Sequence, residues 1–245
     1  ANAVAHCHAS PWFVDISEDS WCLDPVRLSE LLRRETVLDG GYRVHKESRR
    51  RVAAVMPVYT LGTPADMDQI VSLANEFDLP VVADAAAALG ATYKGRDLGG
   101  FARLSVISFN GNKTVTAGGG GAIVGNDTEL VGLVRHLTTT ARVGADYDHD
   151  RVGYNYRMTN LQAAVGCAQL ERLGEFVAAK RRIRSRYDLA FAGTHGVTPF
   201  PQPEWAESAC WFSGIAAGLD RAYALRANLR AKGVDARSFW KPVHM

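Results

Sequence analysis

Apolar positions along this chain follow two spacings. Short runs rich in Val, Ile and Phe, bounded by polar residues and proline, predict buried strands at Pro11–Ile16, Val52–Met56, Val81–Ala83, Leu104–Phe109 and Ala122–Val124. Helix signals lie between them. Asp24-Pro25 opens a helix with Val26, Leu28, Leu31 and Leu32 on its apolar side. Thr63-Pro64-Ala65-Asp66 opens another, with a cap, a proline at the first helical position and an acid in the first turn, running to about Phe77. A third spans about Asp127 to Leu137. Strand followed by helix at this spacing predicts an α/β fold with a mostly parallel sheet covered by helices.

Thr159-x-x-Gln162 has the form of a capping box, and Leu161, Val165, Ala168, Leu170, Leu173, Phe176 and Val177 continue at helical spacing. This predicts one long helix, weak at Gly174, passing through the basic segment Lys180–Arg186 to about Phe191. Residues 193–204, with three prolines, read as a loop. A strand at Ala209–Ala217, a helix at Arg221–Ala231 and a strand at Val234–Phe239 then predict part of a small α/β domain. The expected division is a large α/β domain over 1–158 lacking its N-terminal part, a connecting helix over 159–192, and a partial small C-terminal domain over 193–245.

Composition excludes several classes. The 245 residues are 47% hydrophobic and 22% charged, which rules out a disordered or fibrous chain. Twenty-eight basic against 26 acidic residues give +2, offering no electrostatic case for nucleic acid or a membrane surface. The basic run Lys46–Arg51 lacks interleaved aromatics and reads as a solvated loop before a strand. No apolar stretch reaches the 18 or so residues that span a bilayer. With no leader-like start at Ala1 and an end at Met245 directly after a strand-like segment, the expectation is a soluble, cytoplasmic fragment. Cys7, Cys22, Cys167 and Cys210 have no C-x-x-C spacing and are expected to be reduced. His6-Cys7-His8 reads as a strand or helix end with one buried thiol rather than a metal site, so no metal is expected.

In open α/β sheets ligands bind at the carboxyl ends of strands. Three features fall there. Asp84 ends a strand before four alanines, and an unpaired carboxylate in apolar surroundings calls for a cationic partner. Ser108-Phe109-Asn110-Gly111-Asn112-Lys113 carries a strand into a polar loop with one lysine, and Gly118–Gly121 lets backbone approach a ligand. The glycine tract fits neither a Walker A loop nor a dinucleotide fingerprint. Each feature alone is ordinary turn or cap chemistry. Together, an acid, an imine-forming amine and phosphate donors are what a pyridoxal phosphate site requires, the acid keeping the pyridine nitrogen protonated so that the ring acts as an electron sink.

These residues also carry a family resemblance. Residues 2–15, Pro57-Val58-Tyr59-x-x-Gly62 with Pro64-Ala65-Asp66-Met67, Asp84-Ala85-Ala86 with Gly90-x-x-Tyr93-Lys94-Gly95, the Ser108–Lys113 segment and Gly153-Tyr154-Asn155-Tyr156-Arg157 resemble the DegT/DnrJ/EryC1/StrS family of sugar aminotransferases. The likeness spans about Ala1–Leu173, with a weaker echo at Trp240–His244. It implies a pyridoxal phosphate-dependent fold type I, aspartate-aminotransferase-like architecture, a homodimer with active sites at the subunit interface, and glutamate as amino donor to a nucleotide-linked keto sugar. By the same resemblance Lys113 is the catalytic lysine holding the cofactor as an internal aldimine, and Asp84 the partner of the pyridinium nitrogen. Ser108 is a hydroxyl donor to the cofactor phosphate, and Asn155 an amide reaching the phosphate of the neighbouring subunit. Substrate contacts are assigned to Tyr59, Arg157 and His244, with Arg157 open to a second reading as the partner of a surface acid.

The Asn-Gly-Asn-Lys loop with its glycine tract is similar to the branch resembling legionaminic-acid pathway aminotransferases, which act on UDP-linked 4-keto-6-deoxy N-acetylhexosamines. Perosamine-forming members usually have an acid where this chain has Gly119. Three departures stand out: Ala87 where the family has Gln or Glu beside the cofactor ring, Tyr59 for a usual His, and Ala102-Arg103 for a usual Gly-Asp. The segment in which family members carry a Gly-Thr-type phosphate loop and a ring-stacking aromatic would precede Ala1. The alternatives are an aminated-cofactor sugar dehydratase, which Lys113 argues against, and a catalytically impaired cofactor-binding homologue, which Ala87 favours.

Overall fold

The structure, a computed structural model, describes residues 1–244. A short helix, α1 (Asn2–His6), is followed by coil held by a single antiparallel bridge between Ile16 and Leu23. The strand predicted at Pro11–Ile16 does not form, because neighbouring backbone meets it only at Asp15 and Ile16, and Trp12, Phe13 and Ile16 stay exposed. Helix α2 (Pro25–Glu35) starts where predicted: the Asp24 carboxylate accepts the Val26 and Arg27 N–H groups, and Pro25 takes the first position. Leu28 and Leu32 face the core, whereas Val26 points to solvent. A hairpin that was not foreseen follows, β1 (Thr36–Asp39) against β2 (Tyr42–His45), turned by Gly40 and Gly41, both at positive φ. Lys46–Arg51 forms the turn after it, where Arg49 pairs with Asp39 and Arg51 lies over the Tyr42 ring.

Helix α3 (Met67–Glu76) begins later than predicted. Its cap is Asp66, which accepts the Gln69 N–H, so Pro64 precedes the helix instead of occupying its first position. Thr63 lies ahead of the helix, and its hydroxyl donates to Ser208. Beyond α3 come β3 (Val82–Asp84), a two-stranded turn of β4 (Thr92–Tyr93) and β5 (Arg96–Asp97), then β6 (Leu104–Ser108) and β7 (Gly121–Val124). β3 runs parallel to β6 with Asp84 opposite Val106, and β7 is antiparallel to β6 with Gly121 opposite Ser108. On the far side of β3 residues 55–59 lie parallel to it, bridging at Val55–Val81 and Val58–Asp84, where the predicted Val52–Met56 strand is reduced to these contacts. Met67, Ile70 and Ala74 of α3 are buried in one core with Val81, Ala83, Tyr93 and Ile107 of the sheet region.

Helix α4 (Thr128–Thr138) is capped by Asp127, which also binds Arg103 at 3.0 Å, so the unusual arginine there finds its partner in a helix cap. A projecting arm follows, the small hairpin β8 (Arg142–Val143) and β9 (Asp148–His149). The predicted capping box is present: Thr159 and Gln162 close the start of α5 (Asn160–Leu170). The long helix breaks at Glu171–Arg172, ahead of Gly174, and resumes as α6 (Leu173–Phe191). The C-terminal part contains β10 (Val197–Pro199), β11 (Ala206–Glu207), β12 (Ile215–Ala217) and α7 (Leu219–Ala231). β10 pairs with β12, while β11 pairs back onto β4. Only Ile215–Ala217 of the strand predicted from Ala209 is a strand, because Ala209 and Trp211 donate their N–H groups to Gly62 and Leu61 instead. Val234–Phe239 is exposed coil, without a strand beside it. Cys7 is exposed, contrary to expectation, and the buried thiols are Cys22 and Cys210.

Candidate active site

Because β3 and β6 are parallel, their carboxyl ends lie on one edge of the sheet, and this brings Asp84 and Ser108 to the same side. The Asp84 backbone is fixed on the side away from β6: its N–H donates to Pro57 and its carbonyl accepts from Tyr59, each at 2.9 Å. Its carboxylate accepts the Ala86 N–H at 3.1 Å. It is half-buried, and among the described residues no Lys, Arg or His lies within ion-pair distance of it. The cation expected from the sequence is therefore not supplied by this chain. Next to it Ala85 and Ala88 are buried, and a Cβ at Gly62 would stand 2.8 Å from the Ala87 carbonyl, so glycine is needed where that strand end approaches.

Lys113 hangs from a loop tied at both ends to Phe109, which donates to Gly120 and accepts from Ala117. Val115, fully buried, anchors the loop. Within it the Ser108 Oγ accepts the Asn110 N–H at 3.2 Å, which leaves the hydroxyl proton free for another acceptor, and Asn110 accepts the Lys113 N–H. The Lys113 Nζ stands 3.5 Å from the centre of the Trp211 ring. Burial pushes its amine below the usual lysine range, and the nearby Asp84 charge partly opposes that shift.

Trp211 is the residue that sequence reasoning missed. It is buried at 7% exposure, its indole N–H donates to the Asn112 carbonyl at 2.7 Å, and its ring stacks on Phe212 at 4.2 Å and Trp240 at 5.7 Å. The Lys180 ammonium of α6 donates to its carbonyl at 3.2 Å. The only sequence signal was the Trp211-Phe212 pair itself, far along the chain from Lys113.

The other expected site residues do not join this group. Asn155 and Arg157 are exposed on the segment between the arm and α5, with Asn155 bridged to Thr139. Among the described residues neither forms a hydrogen bond or ion pair with Asp84, Ser108 or Lys113, and Arg157 has no acidic partner. That segment does border the site, since Met158 packs on Gly120 and Gln162 on Gly119. The substrate contact expected of Tyr59 is corrected: its ring is 1% exposed in the core, and burial raises its phenol well above the ordinary range. The exposed His244 sits 5.9 Å from the Phe13 ring. Among the described residues no three His, Cys, Asp or Glu side chains cluster as for a metal. No described helix is long and apolar enough to cross a membrane.

A mixed sheet whose parallel strands end in a free carboxylate and a lysine-bearing loop, followed by a long helix leading to further α/β structure, is the layout of fold type I α/β proteins. The sequence model of the DegT/DnrJ/EryC1/StrS aminotransferase family matches residues 1–245, and the chain belongs to that family. The match covers the whole chain, beyond the Leu173 limit of the motifs quoted above. EpsN of Bacillus subtilis strain 168 is 37% identical over all of this chain and 61% of its own length. GDP-perosamine synthase of Caulobacter vibrioides is 34% identical over all of this chain and 63% of its own. The crystal structure of a DegT DnrJ EryC1 StrS aminotransferase from Brucella abortus superposes with a TM-score of 0.88 at 29% identity, covering all of this chain and 63% of that one. The chain thus spans about three fifths of the length of the relatives it matches.

Proposed function

We propose that this chain is the cofactor-holding part of a cytoplasmic, homodimeric aminotransferase that uses pyridoxal phosphate to move the amino group of glutamate onto a nucleotide-linked 4-keto-6-deoxy sugar. The carrying observation is the pairing of a desolvated lysine amine with a half-buried carboxylate that has no cation of its own. The residues fit the cofactor: Asp84 has a charge to offer a protonated ring nitrogen, and the Ser108 hydroxyl has a proton to offer a phosphate. When bound, pyridoxal phosphate supplies the electron sink that weakens bonds at the substrate carbon. Lys113 is the amine that takes hold of it and then, as general acid and base, carries the proton at Nζ. A lowered amine pKa suits both roles, because more of the group is unprotonated near neutral pH.

In this reading Asn155 and Arg157 serve a neighbouring subunit or the substrate, which their exposure on a segment bordering the site supports. The likeness to GDP-perosamine synthase supports a nucleotide sugar as acceptor, while Gly119 supports a UDP-linked N-acetylhexosamine. A second reading, a cofactor binder without turnover, draws on Ala87, whose methyl replaces a polar partner for the ring. The test is an absorbance spectrum of the full-length protein with pyridoxal phosphate, before and after glutamate, beside Lys113→Ala. A visible band that fades with glutamate and never forms in the variant supports the transaminase. A band that glutamate leaves unchanged supports the silent binder, and no band in either protein overturns both.

A further inference from the structure

A free lysine next to a lone carboxylate would ordinarily close onto it, since opposite charges attract more strongly where water is partly excluded. Here it does not. Asp84 is close enough to influence the Lys113 amine, yet no ion pair joins the two, and the amine lies instead over the face of Trp211 at 3.5 Å. That face is held from four directions. The indole N–H is bound to Asn112, one residue before Lys113 on the same loop, and the Trp211 N–H is bound to Leu61. Its carbonyl is bound by Lys180, and Phe212 and Trp240 stack against the ring. The Asn112 contact couples the ring to the loop, so the two move together.

We propose that Trp211 is a positioning residue that holds the free amine of Lys113 beside Asp84 but off it, keeping the carboxylate open for the cofactor ring nitrogen. The proposal rests on the reading of Lys113 as the cofactor-holding lysine. The face of an aromatic ring attracts an ammonium without offering a carboxylate's charge, so it restrains a flexible four-carbon stem while leaving the amine easy to deprotonate. The charged group that acts on the amine is Asp84 from β3, while Lys180 from α6 is engaged on the Trp211 carbonyl. Lys113 itself has to leave the ring to take up the cofactor, and a cation–π contact, which sets no full opposite charge against the amine, permits that where an ion pair would resist it.

The test is made on the cofactor-free full-length protein, with lysines reductively methylated with carbon-13 and followed by NMR through a pH titration, Lys113→Arg assigning the resonance. In the wild type the Lys113 methyl signal is expected upfield, shifted by the indole ring current. In Trp211→Leu it moves to the position of ordinary lysines, and its titration midpoint rises by about one pH unit as the amine falls onto Asp84, which is a tenfold loss of free amine at pH 8. Adding Asp84→Asn to Trp211→Leu returns the midpoint to the wild-type value or below. Trp211→Phe, which keeps a ring and spares the fold should the leucine variant unfold, retains the upfield signal. A wild-type signal without an upfield shift, a midpoint unmoved in Trp211→Leu, or a rise that survives Asp84→Asn overturns the proposal. Unmodified Trp211→Leu should also form its pyridoxal phosphate band about tenfold more slowly at pH 8. If the wild type never forms that band, the functional reading fails, while the resonances still judge the place of the amine.

Discussion

The phenol of Tyr59 is fully enclosed, and its hydroxyl has no hydrogen-bond partner among the described residues. A buried hydroxyl left unpaired costs about 1–3 kcal/mol, whereas its apolar counterpart of the same shape does not. Tyr59→Phe is accordingly expected to raise stability by about 1 kcal/mol, read as a higher urea midpoint at an unchanged slope. A lower midpoint would show that the hydroxyl is in fact paired. The same residue shows what a motif does not transmit. Tyr59 stands in a segment matching a family pattern, yet side-chain direction alternates along extended backbone, and this one turns into the core while its N–H serves Asp84. Asp84, Ser108 and Lys113 were legible because strand ends and the turn after them are local features. Trp211 was not, because it reaches Lys113 only through the pairing of Ala209 and Trp211 with Gly62 and Leu61, a contact between distant parts of the chain.

Elements follow the same division. The helices α2, α4 and α5 begin at Asp24, Asp127 and Thr159, whose side chains accept N–H groups two or three residues on, so the sequence marks them within a few positions. The segment Val234–Phe239 has strand composition but no partner backbone, and Pro11–Ile16 meets one only at Asp15 and Ile16; composition without a partner along its length does not make a strand. The unforeseen hairpin of β1 and β2 turns at Asp39-Gly40-Gly41, a local turn signature between its two strands. The arm is the element most exposed to a single change. Its base is closed by the Thr140 N–H donating to Tyr154 at 3.0 Å and the Tyr154 N–H donating to Leu137 at 2.7 Å, and Gly153 lies between them. A Cβ at Gly153 would collide with the Thr140–Ala141 backbone, which cannot swing aside as a side chain can. Gly153→Ala should cost about 2 kcal/mol, within the range for overpacking, and strip hydrogen-exchange protection from the Thr140 and Tyr154 amides while sparing β3 and β6. Protection retained at both amides would show that the arm adapts.

At the scale of the molecule, α5 presents a problem that the chain alone does not solve. Among its residues only Gly166 is buried, packed on Ala117 beneath the glycine tract, while Leu161 is 82% and Val165 51% exposed. The adjoining segment adds Val152 at 85% and Tyr156 at 74%, so exposed apolar side chains flank Asn155 and Arg157 along the chain, the residues that the proposed function assigns to a subunit boundary. An exposed apolar patch of this kind marks an association surface, and a second copy fits it because a twofold interface uses the same patch on both subunits. Burying a leucine or valine side chain contributes about 1.5–3 kcal/mol, and twofold symmetry counts each residue twice. Leu161→Asp reverses that contribution by placing a charge where an apolar group would be covered. It leaves the helix intact, because Leu161 lies in the first turn of α5, where a carboxylate interacts favourably with the helix dipole and the capping box is untouched. Light scattering on the full-length protein is expected to give a dimer for the wild type and a monomer with unchanged helix content for Leu161→Asp at micromolar concentration. The monomer should lose turnover with glutamate while its Lys113 band with pyridoxal phosphate persists in weaker form, since Asp84, Ser108 and Lys113 all belong to one chain and Asn155 does not reach them within it. A Leu161→Asp protein that remains dimeric would move the subunit boundary away from α5, and a monomeric wild type would remove the shared site altogether.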